Sequence, residues 1–365
     1  MLPWDWSADY QRQTCLELAK KHTVVAYMEK DAVFFLKAFL KKRIQYPKHR
    51  NIVFYQPLYI FPFRRIRVVE RLNQIVSFLL FRLFVVHLQK SILWIFDPYF
   101  YYVIPMARCT TLYDCVDYAW SKNQTEFEDI QRIEKTMIRK VDYFFVNSYV
   151  LYTIHKSTRK PDRIVPQGFR LQDFKTYSGK SCKQFMHKPV IGYVGAINHR
   201  IDFCLLLALS RRNPGYQFVL WGRIQDLDNS DLQTTKAWVD ILRKETNIAI
   251  GHSTCGADIP GIIRQFDIAI IPYVIGYKSV KYSYPMKLFE YFYMGKPVIS
   301  TSIEELKRFP KYIKIGNTAN EWEKHIKNCL SGSWSKEYKK EQKKFAEANS
   351  WDKKILSVTS VLGNT

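Results

Sequence analysis

Short β-branched and aromatic runs alternate with stretches of helical spacing along this sequence, and the alternation is laid down twice. In the first half, "TVVAYME", "NIVFYQPL", "SILWIFDP", "CTTLYDCVDYAW", "VDYFFVNS" and "DRIVPQGF" read as strands. Between or before them, "ADYQRQTCLELAKK", "RVVERLNQIVSFLLFRLFVVHLQK" and "EFEDIQRIEKTMIRK" read as helices. Strands separated by helices predict a parallel sheet covered on both faces, because each crossover carries a helix back over the sheet. A polar stretch over 171–188 then interrupts, and the pattern restarts with "PVIGYVGAI", "YQFVLWG", "NIAIG", "DIAIIPY" and "KPVIST". The predicted class is α/β, with a first Rossmann-like domain over 1–170, a linker over 171–188 and a second Rossmann-like domain over 189–348. A last helix over 349–365 is expected to return to the first domain. The chain has 365 residues, a length that suits two domains of ordinary size. Two such β/α/β domains are expected to face each other across a cleft, with ligands at the carboxyl ends of the strands.

Charge and cysteine usage narrow the function classes. The formal net charge of +23 is spread over both halves. A field of that sign attracts phosphorylated small molecules, an anionic membrane surface or nucleic acid. Nucleic acid is disfavoured, because the aromatics follow strand and helix patterns and do not sit beside basic residues on one element. Seven cysteines without a CxxC pair predict reduced thiols, with neither a disulfide framework nor a zinc site. The front of the chain, "MLPWDWSADYQRQ", is polar and acidic and does not read as a signal peptide. The most apolar region, 75–90, contains Arg82, His87, Gln89 and Lys90 within about the 20 residues a membrane span needs. The expected location is cytoplasmic, peripheral on the inner face of the membrane.

Four stretches can carry chemistry. "YSYPMKLFEYFYMGKPVIST" (282–301) reads as a helix that opens at Pro285, stops at Gly295 and drops into a buried strand. Lys287 and Glu290 share its face one turn apart. A lysine near free helix N–H groups suits a phosphate, and a carboxylate one turn deeper can take two vicinal hydroxyls. The alternative for this pair is a surface salt bridge. "YVGAINHR" follows a strand with Gly192 and Gly195, then His199 and Arg200; it is not G-x-G-x-x-G, which disfavours a nicotinamide cofactor. Arg223 after "VLWG" is a further phosphate candidate. "LYDCVDYAW" supplies Asp114 and Asp117 as candidate general bases, with a turn or cap role as the alternative. "DLDNSD" (226–231) imitates a metal-binding DxD but precedes a helix and reads as its cap, so no metal is expected. A helix over 72–88 is expected in the core under the first sheet. Arg64, Arg65 and Arg67 at its front, with "KAFLKKR" (37–43), are candidates for contact with anionic headgroups or an acceptor.

The "P-x-K-x-x-E-Y…G-K-P-V" pattern resembles the donor-binding helix of GT-B fold glycosyltransferases, in particular the family 4-like bacterial group that builds exopolysaccharide or teichuronic-type polymers. "WDWSADYQRQTCLELAKKHTVVAYME", "LYDCVDYAW", "VDYFFVNSYVLY", "IVPQGF", "IGYVGAINHRIDF", "FDIAIIPY" and "NSWDKK" continue the likeness in order. The resemblance implies that Glu290 binds the donor ribose, that Lys287 contacts its phosphates and that Met286 packs near the nucleotide. Gly195, Arg200, Arg223, Tyr273 and Ser283 complete the expected donor site, and Asp117, or else Asp114, is the expected base. The chain departs from the pattern at Tyr282, where retaining relatives often carry a second glutamate, and at Gln167-Gly168, where Asn-Gly is usual. The implied activity is metal-independent transfer of a sugar from a nucleotide-sugar to a glycan or polyprenyl-linked acceptor. Its rivals are a nucleotide-sugar epimerase on the same fold and a non-catalytic basic protein that binds membrane or nucleic acid.

Overall fold

A computed structural model of the chain describes residues 10–28, 33–34, 36, 46–63, 66–85, 90–119, 121, 123–177, 188–226, 229–252, 258–332 and 334–363. The chain divides into two compact units, Met1–Pro166 with Lys354–Thr365, and Gln167–Lys353.

In the first unit a four-stranded sheet runs in the order β5-β6-β7-β8, formed by β5 (Ile92–Ile95), β6 (Thr110–Cys115), β7 (Tyr143–Val146) and β8 (Arg163–Ile164). All its pairings are parallel. Two parallel pairs accompany it, β1 (Val24–Tyr27) with β3 (Ile52–Tyr55), and β2 (Val33–Phe34) with β4 (Leu58–Tyr59). The helix Gln124–Lys140 starts where the Asn123 side chain accepts from Glu126 N–H, and it buries Ile130, Ile133, Met137 and Ile138 at helical spacing. Met137 and Ile138 close the core over Tyr113, Phe144 and Val146. Val358 and Leu362 of the last helix, Trp351–Leu362, pack against Leu112, Phe145 and Val165.

The helix Arg67–Phe84 meets the expectation of a core helix over 72–88 only in part, and 86–88 lie outside the described residues. Its inward face is mixed: Asn73, Gln74 and Ser77 are buried together with Phe78 and Phe81, which join a core cluster with Val103 and Ala107. Leu72, Leu79 and Leu83 point outward, 45%, 42% and 80% exposed. Hydrogen bonds decide the orientation. Asn73 accepts from the backbone N–H groups of Ile60 and Phe61 and donates to the Phe61 carbonyl, while Tyr27 and Tyr55 donate to the Ser77 hydroxyl and carbonyl. Turning the helix over would bury leucines but strand those partners. Among the described residues no helix is long and apolar enough to cross a membrane.

The second unit holds one six-stranded sheet in the order β11-β10-β9-β12-β13-β14. Its strands are β9 (Val190–Val194), β10 (Gln217–Trp221), β11 (Ile248–Gly251), β12 (Ile268–Ile271), β13 (Val298–Ser300) and β14 (Ile313–Ile315), all paired in parallel. Counted within the unit, this is the doubly wound order 3-2-1-4-5-6, and the chain reverses its direction of winding between β9 and β12. The stretch expected as a linker begins with a helix, Leu171–Lys175, whose Phe174 packs against Phe169 and Tyr293. The helix Lys287–Tyr293 ends as its sequence predicts. Gly295 takes φ +63°, its N–H donates to the Phe292 carbonyl, and that of Lys296 donates to Tyr291.

Candidate functional site

The reversal point between β9 and β12 brings a glycine loop and a tyrosine together. Gly195 follows β9 directly, and Tyr273 lies two residues beyond β12. Gly195 takes φ +134°, which favours a residue without a side chain. A Cβ on its neighbour Gly222 would stand 1.8 Å from the Gly195 carbonyl oxygen, so both glycines are needed for this loop to close. The Gly195 N–H donates to the Trp221 carbonyl at 2.9 Å, and the Val194 N–H donates to the Tyr291 hydroxyl at 2.9 Å. The loop is thereby tied to the helix Lys287–Tyr293 as well as to β10.

Lys287 stands over this loop. Its Nζ donates to the Tyr273 hydroxyl and lies 4.9 Å from the ring centroids of both Tyr193 and Tyr273. A Cβ on Gly195 would come within 2.9 Å of the Lys287 Cε. Burial pushes the Tyr273 phenol up, but the charge and hydrogen bond of Lys287 outweigh it and hold the phenol below its usual value. The ammonium is thus fixed by two aromatic faces and one hydroxyl, at a point where only backbone intervenes.

Glu290, half-buried one turn on, accepts no side-chain hydrogen bond among the described residues. Burial pushes its carboxyl up to about 7, with Lys287 pulling down, Asp173 pushing up and Arg170 pulling down. Arg170 and Asp173 are paired at 3.0 Å beside it. The alternative reading of the pair, a surface salt bridge between Lys287 and Glu290, is not what the geometry shows, since the lysine is engaged by tyrosine. A held cation, bare backbone and an unengaged carboxylate, framed by the buried Leu288, Phe289, Tyr291 and Phe292, can receive a phosphate at one end and a pair of hydroxyls at the other.

The other expected donor residues fall in varied places. Arg200 and Arg223 are exposed, and their carbonyls accept from Val274 and Ile197, which sets both beside the glycine loop. Arg200 is near enough to favour the ionised form of both Tyr193 and Tyr273. Met286 is the half-buried residue preceding the helix, and the Ser283 hydroxyl is engaged by the Val280 carbonyl at 2.8 Å. His199 is held by Asp226, which accepts from its backbone N–H and ring Nδ1 as well as from Thr235. Asp226 therefore clamps the glycine loop, a role the cap reading of "DLDNSD" did not foresee. Tyr193, Arg170, Asp173 and Asp226 were not legible as site residues. Only Tyr193, inside the "IGYVG" strand end, carried a local signal.

Of the two candidate bases, Asp114 is corrected. Its side chain is fully buried, accepts from the Tyr10 hydroxyl at 2.9 Å and Trp94 Nε1 at 3.2 Å, and lies 3.8 Å from Lys354 Nζ. A carboxylate so enclosed fastens the last helix to β6 and offers no route to an acceptor hydroxyl. Asp117, two residues after β6, is exposed. Arg64, Arg65 and "KAFLKKR" (37–43) lie outside the described residues, and Arg67 is the first residue of its helix.

Residues 188–330, within the second unit, match the family described as "Glycosyl transferases group 1". Sucrose-phosphate synthase from Thermosynechococcus elongatus superposes with TM-score 0.74 at 14% identity, covering 97% of this chain and 92% of that one. Anabaena HepE in complex with UDP and glucose superposes with TM-score 0.66 at 12% identity, covering 93% and 99%. The fold is that of the GT-B class, and residues 188–330 of the second unit match the glycosyl transferases group 1 model. Within that class the chain is similar to the "Putative teichuronic acid biosynthesis glycosyltransferase TuaH" of Bacillus subtilis, 24% identical over 277 residues. The alignment covers 68% of this chain and 66% of that protein, just under two thirds of its length.

Proposed function

We infer that this chain transfers a sugar from a nucleotide-sugar to a glycan or polyprenyl-linked acceptor in the synthesis of a cell-surface polysaccharide. One observation carries the reading: Lys287, braced by Tyr193 and Tyr273, stands over the bare backbone of Gly195 at the switch point of a doubly wound sheet. The donor diphosphate lies against Lys287 and Gly195, with Arg200 and Arg223 beside it, and Glu290 takes the ribose hydroxyls. Fixed positive charge from these side chains stabilises the departing diphosphate, so the transfer needs no metal. Asp117 accepts the proton of the attacking acceptor hydroxyl. The similarity to a teichuronic acid glycosyltransferase supports the polymer class of the acceptor.

The exposed leucine stripe of the helix Arg67–Phe84 supports a station on an anionic membrane surface, on its cytoplasmic face. Leu72, Leu79 and Leu83 share one side, and Arg71 and Arg82 belong to the same helix.

The test is calorimetric titration with UDP, GDP and dTDP. One of the three binds the native chain, and Lys287→Met weakens it about 10- to 100-fold, the worth of one charge-assisted phosphate contact. Equal affinity in the variant, or no binding by any of the three, refutes the donor site. Release of nucleotide that depends on added acceptor separates transfer from epimerisation.

A further inference from the structure

Three ligand-type side chains from three elements meet inside the first unit. Cys115 ends β6, Glu134 lies in the helix Gln124–Lys140, and His155 closes the helix Tyr149–His155. They are 1%, 1% and 4% exposed. Cys115 Sγ is 3.9 Å from His155 Nε2 and 3.5 Å from Glu134 Oε1, and His155 Nε2 is 3.9 Å from Glu134 Oε2. One ligand atom from each lies within 4.8 Å of the other two. A tetrahedral ion with bonds of about 2.3 Å to sulfur and about 2.0–2.2 Å to nitrogen and oxygen needs edges of about 3.4–3.6 Å. The two 3.9 Å separations exceed that by a few tenths of an ångström; the carboxylate meets sulfur through Oε1 and imidazole through Oε2, so ligation through one oxygen needs it to turn.

A second observation points the same way. Glu134 Oε2 is buried with no hydrogen-bond partner. The other oxygen, Oε1, accepts from the Tyr113 hydroxyl at 2.7 Å, which fixes the carboxylate and turns Oε2 toward His155. A spacing of 3.9 Å is too long for that imidazole to satisfy it. An outer hydroxyl that orients a ligating carboxylate is the usual second layer of a metal site.

We propose that Cys115, Glu134 and His155 form a tetrahedral site for Zn²⁺ or a similar thiophilic divalent cation, one that fastens β6 to the two helices. The Asp117 carbonyl oxygen lies 3.5 Å from Cys115 Sγ and is the candidate for the fourth position. On binding, the thiol proton passes to solvent and the thiolate, carboxylate and neutral imidazole donate to the ion. The site is independent of the donor reading, because none of its residues belongs to the second unit. Sequence spacing concealed it, since its ligands come from separate elements and form no CxxC.

The test uses the untagged full chain. Zinc content after chelation and reloading is expected at about one ion per chain, and cobalt loading is expected to give a thiolate-to-metal absorption band. Cys115→Ala and His155→Gln abolish both, as does the near-isosteric Glu134→Gln for tight retention. Tyr113→Phe keeps the site with affinity about 10-fold weaker. Asp226→Asn, which disrupts the half-buried His199, Asp226 and Asp231 cluster of the second unit, leaves zinc content and the band unchanged. Absence of retained zinc and of the band in the native chain overturns the proposal, as does loss in Asp226→Asn with retention in Cys115→Ala. Should Cys115→Ala not fold, zinc and the band in Glu134→Gln decide the same question.

Discussion

Glu290→Gln is expected to stabilise the second unit above neutral pH while weakening donor binding. Burial holds the Glu290 carboxyl at about 7, against 4.5 for an unperturbed one. The folded chain thus binds this proton more tightly than the unfolded chain does. Its stabilising contribution is fully present below pH 4.5 and is lost as pH rises through about 7. At about 1.36 kcal/mol per pH unit the loss is about 3 kcal/mol by pH 8, and partial access to water reduces this to roughly 2 kcal/mol. Glutamine is neutral at every pH and nearly the same shape, so the variant avoids the loss. At about 2–4 °C per kcal/mol for a domain of this size, the second unit of Glu290→Gln should melt roughly 4–8 °C above the native chain at pH 8. At pH 5 the same linkage leaves only about 0.5 kcal/mol, so the two should melt within about 1–2 °C of each other. Calorimetric melting at both pH values measures the difference, and titration with the nucleotide that binds should show a loss of about 10-fold at pH 8. Equal melting-point differences at the two pH values, or a less stable variant at pH 8, would refute the assignment of a desolvated carboxylate kept for a ligand.

Three further outcomes are expected. Gly222→Ala places a methyl 1.8 Å from the Gly195 carbonyl, whereas Gly276→Ala meets nothing nearer than Val274 at 3.9 Å. The first should cost about 1–3 kcal/mol and more than about 10-fold in nucleotide affinity, and the second should change neither in urea unfolding or calorimetry. Asp114→Asn leaves buried Lys354 without its carboxylate and should destabilise the first unit by about 3–5 kcal/mol; adding Lys354→Met should recover most of this in urea titrations, and a merely catalytic Asp114 would show no such rescue. Leu79→Asp with Leu83→Asp should leave the melting point within about 1 °C, as exposed positions do, and should abolish co-sedimentation with phosphatidylglycerol vesicles. Unchanged sedimentation would remove the leucine stripe from the membrane reading.

The alternation of strand and helix, its restart after 188, and the Lys287-Glu290 helix with its stop at Gly295 were all legible in the sequence. Each is a local pattern: strand burial, helical spacing and a left-handed glycine depend on residues a few positions apart. That is why "YSYPMKLFEYFYMGKPVIST" could be read as a site-bearing segment, down to the two residues that matter. The amphipathic pattern of Arg67–Phe84 was equally plain, yet its facing was not. Hydrogen bonds from Ile60 and Phe61 to Asn73, and from Tyr27 and Tyr55 to Ser77, turned its leucines outward. Partners twelve to fifty residues away leave no periodic trace.

The sequence by itself determined which segments are strands and helices, and that a lysine and a carboxylate share one turn of a late helix. Tertiary structure alone decided what those residues meet. The crossover order of the second sheet set Tyr193 and Tyr273 beside Lys287, while packing within the first unit buried Asp114 under the last helix and drew Cys115, Glu134 and His155 together from three elements. Local pattern reflects the backbone's own periodicity, whereas side-chain convergence depends on which strands become neighbours, and that choice follows from packing the whole chain at once.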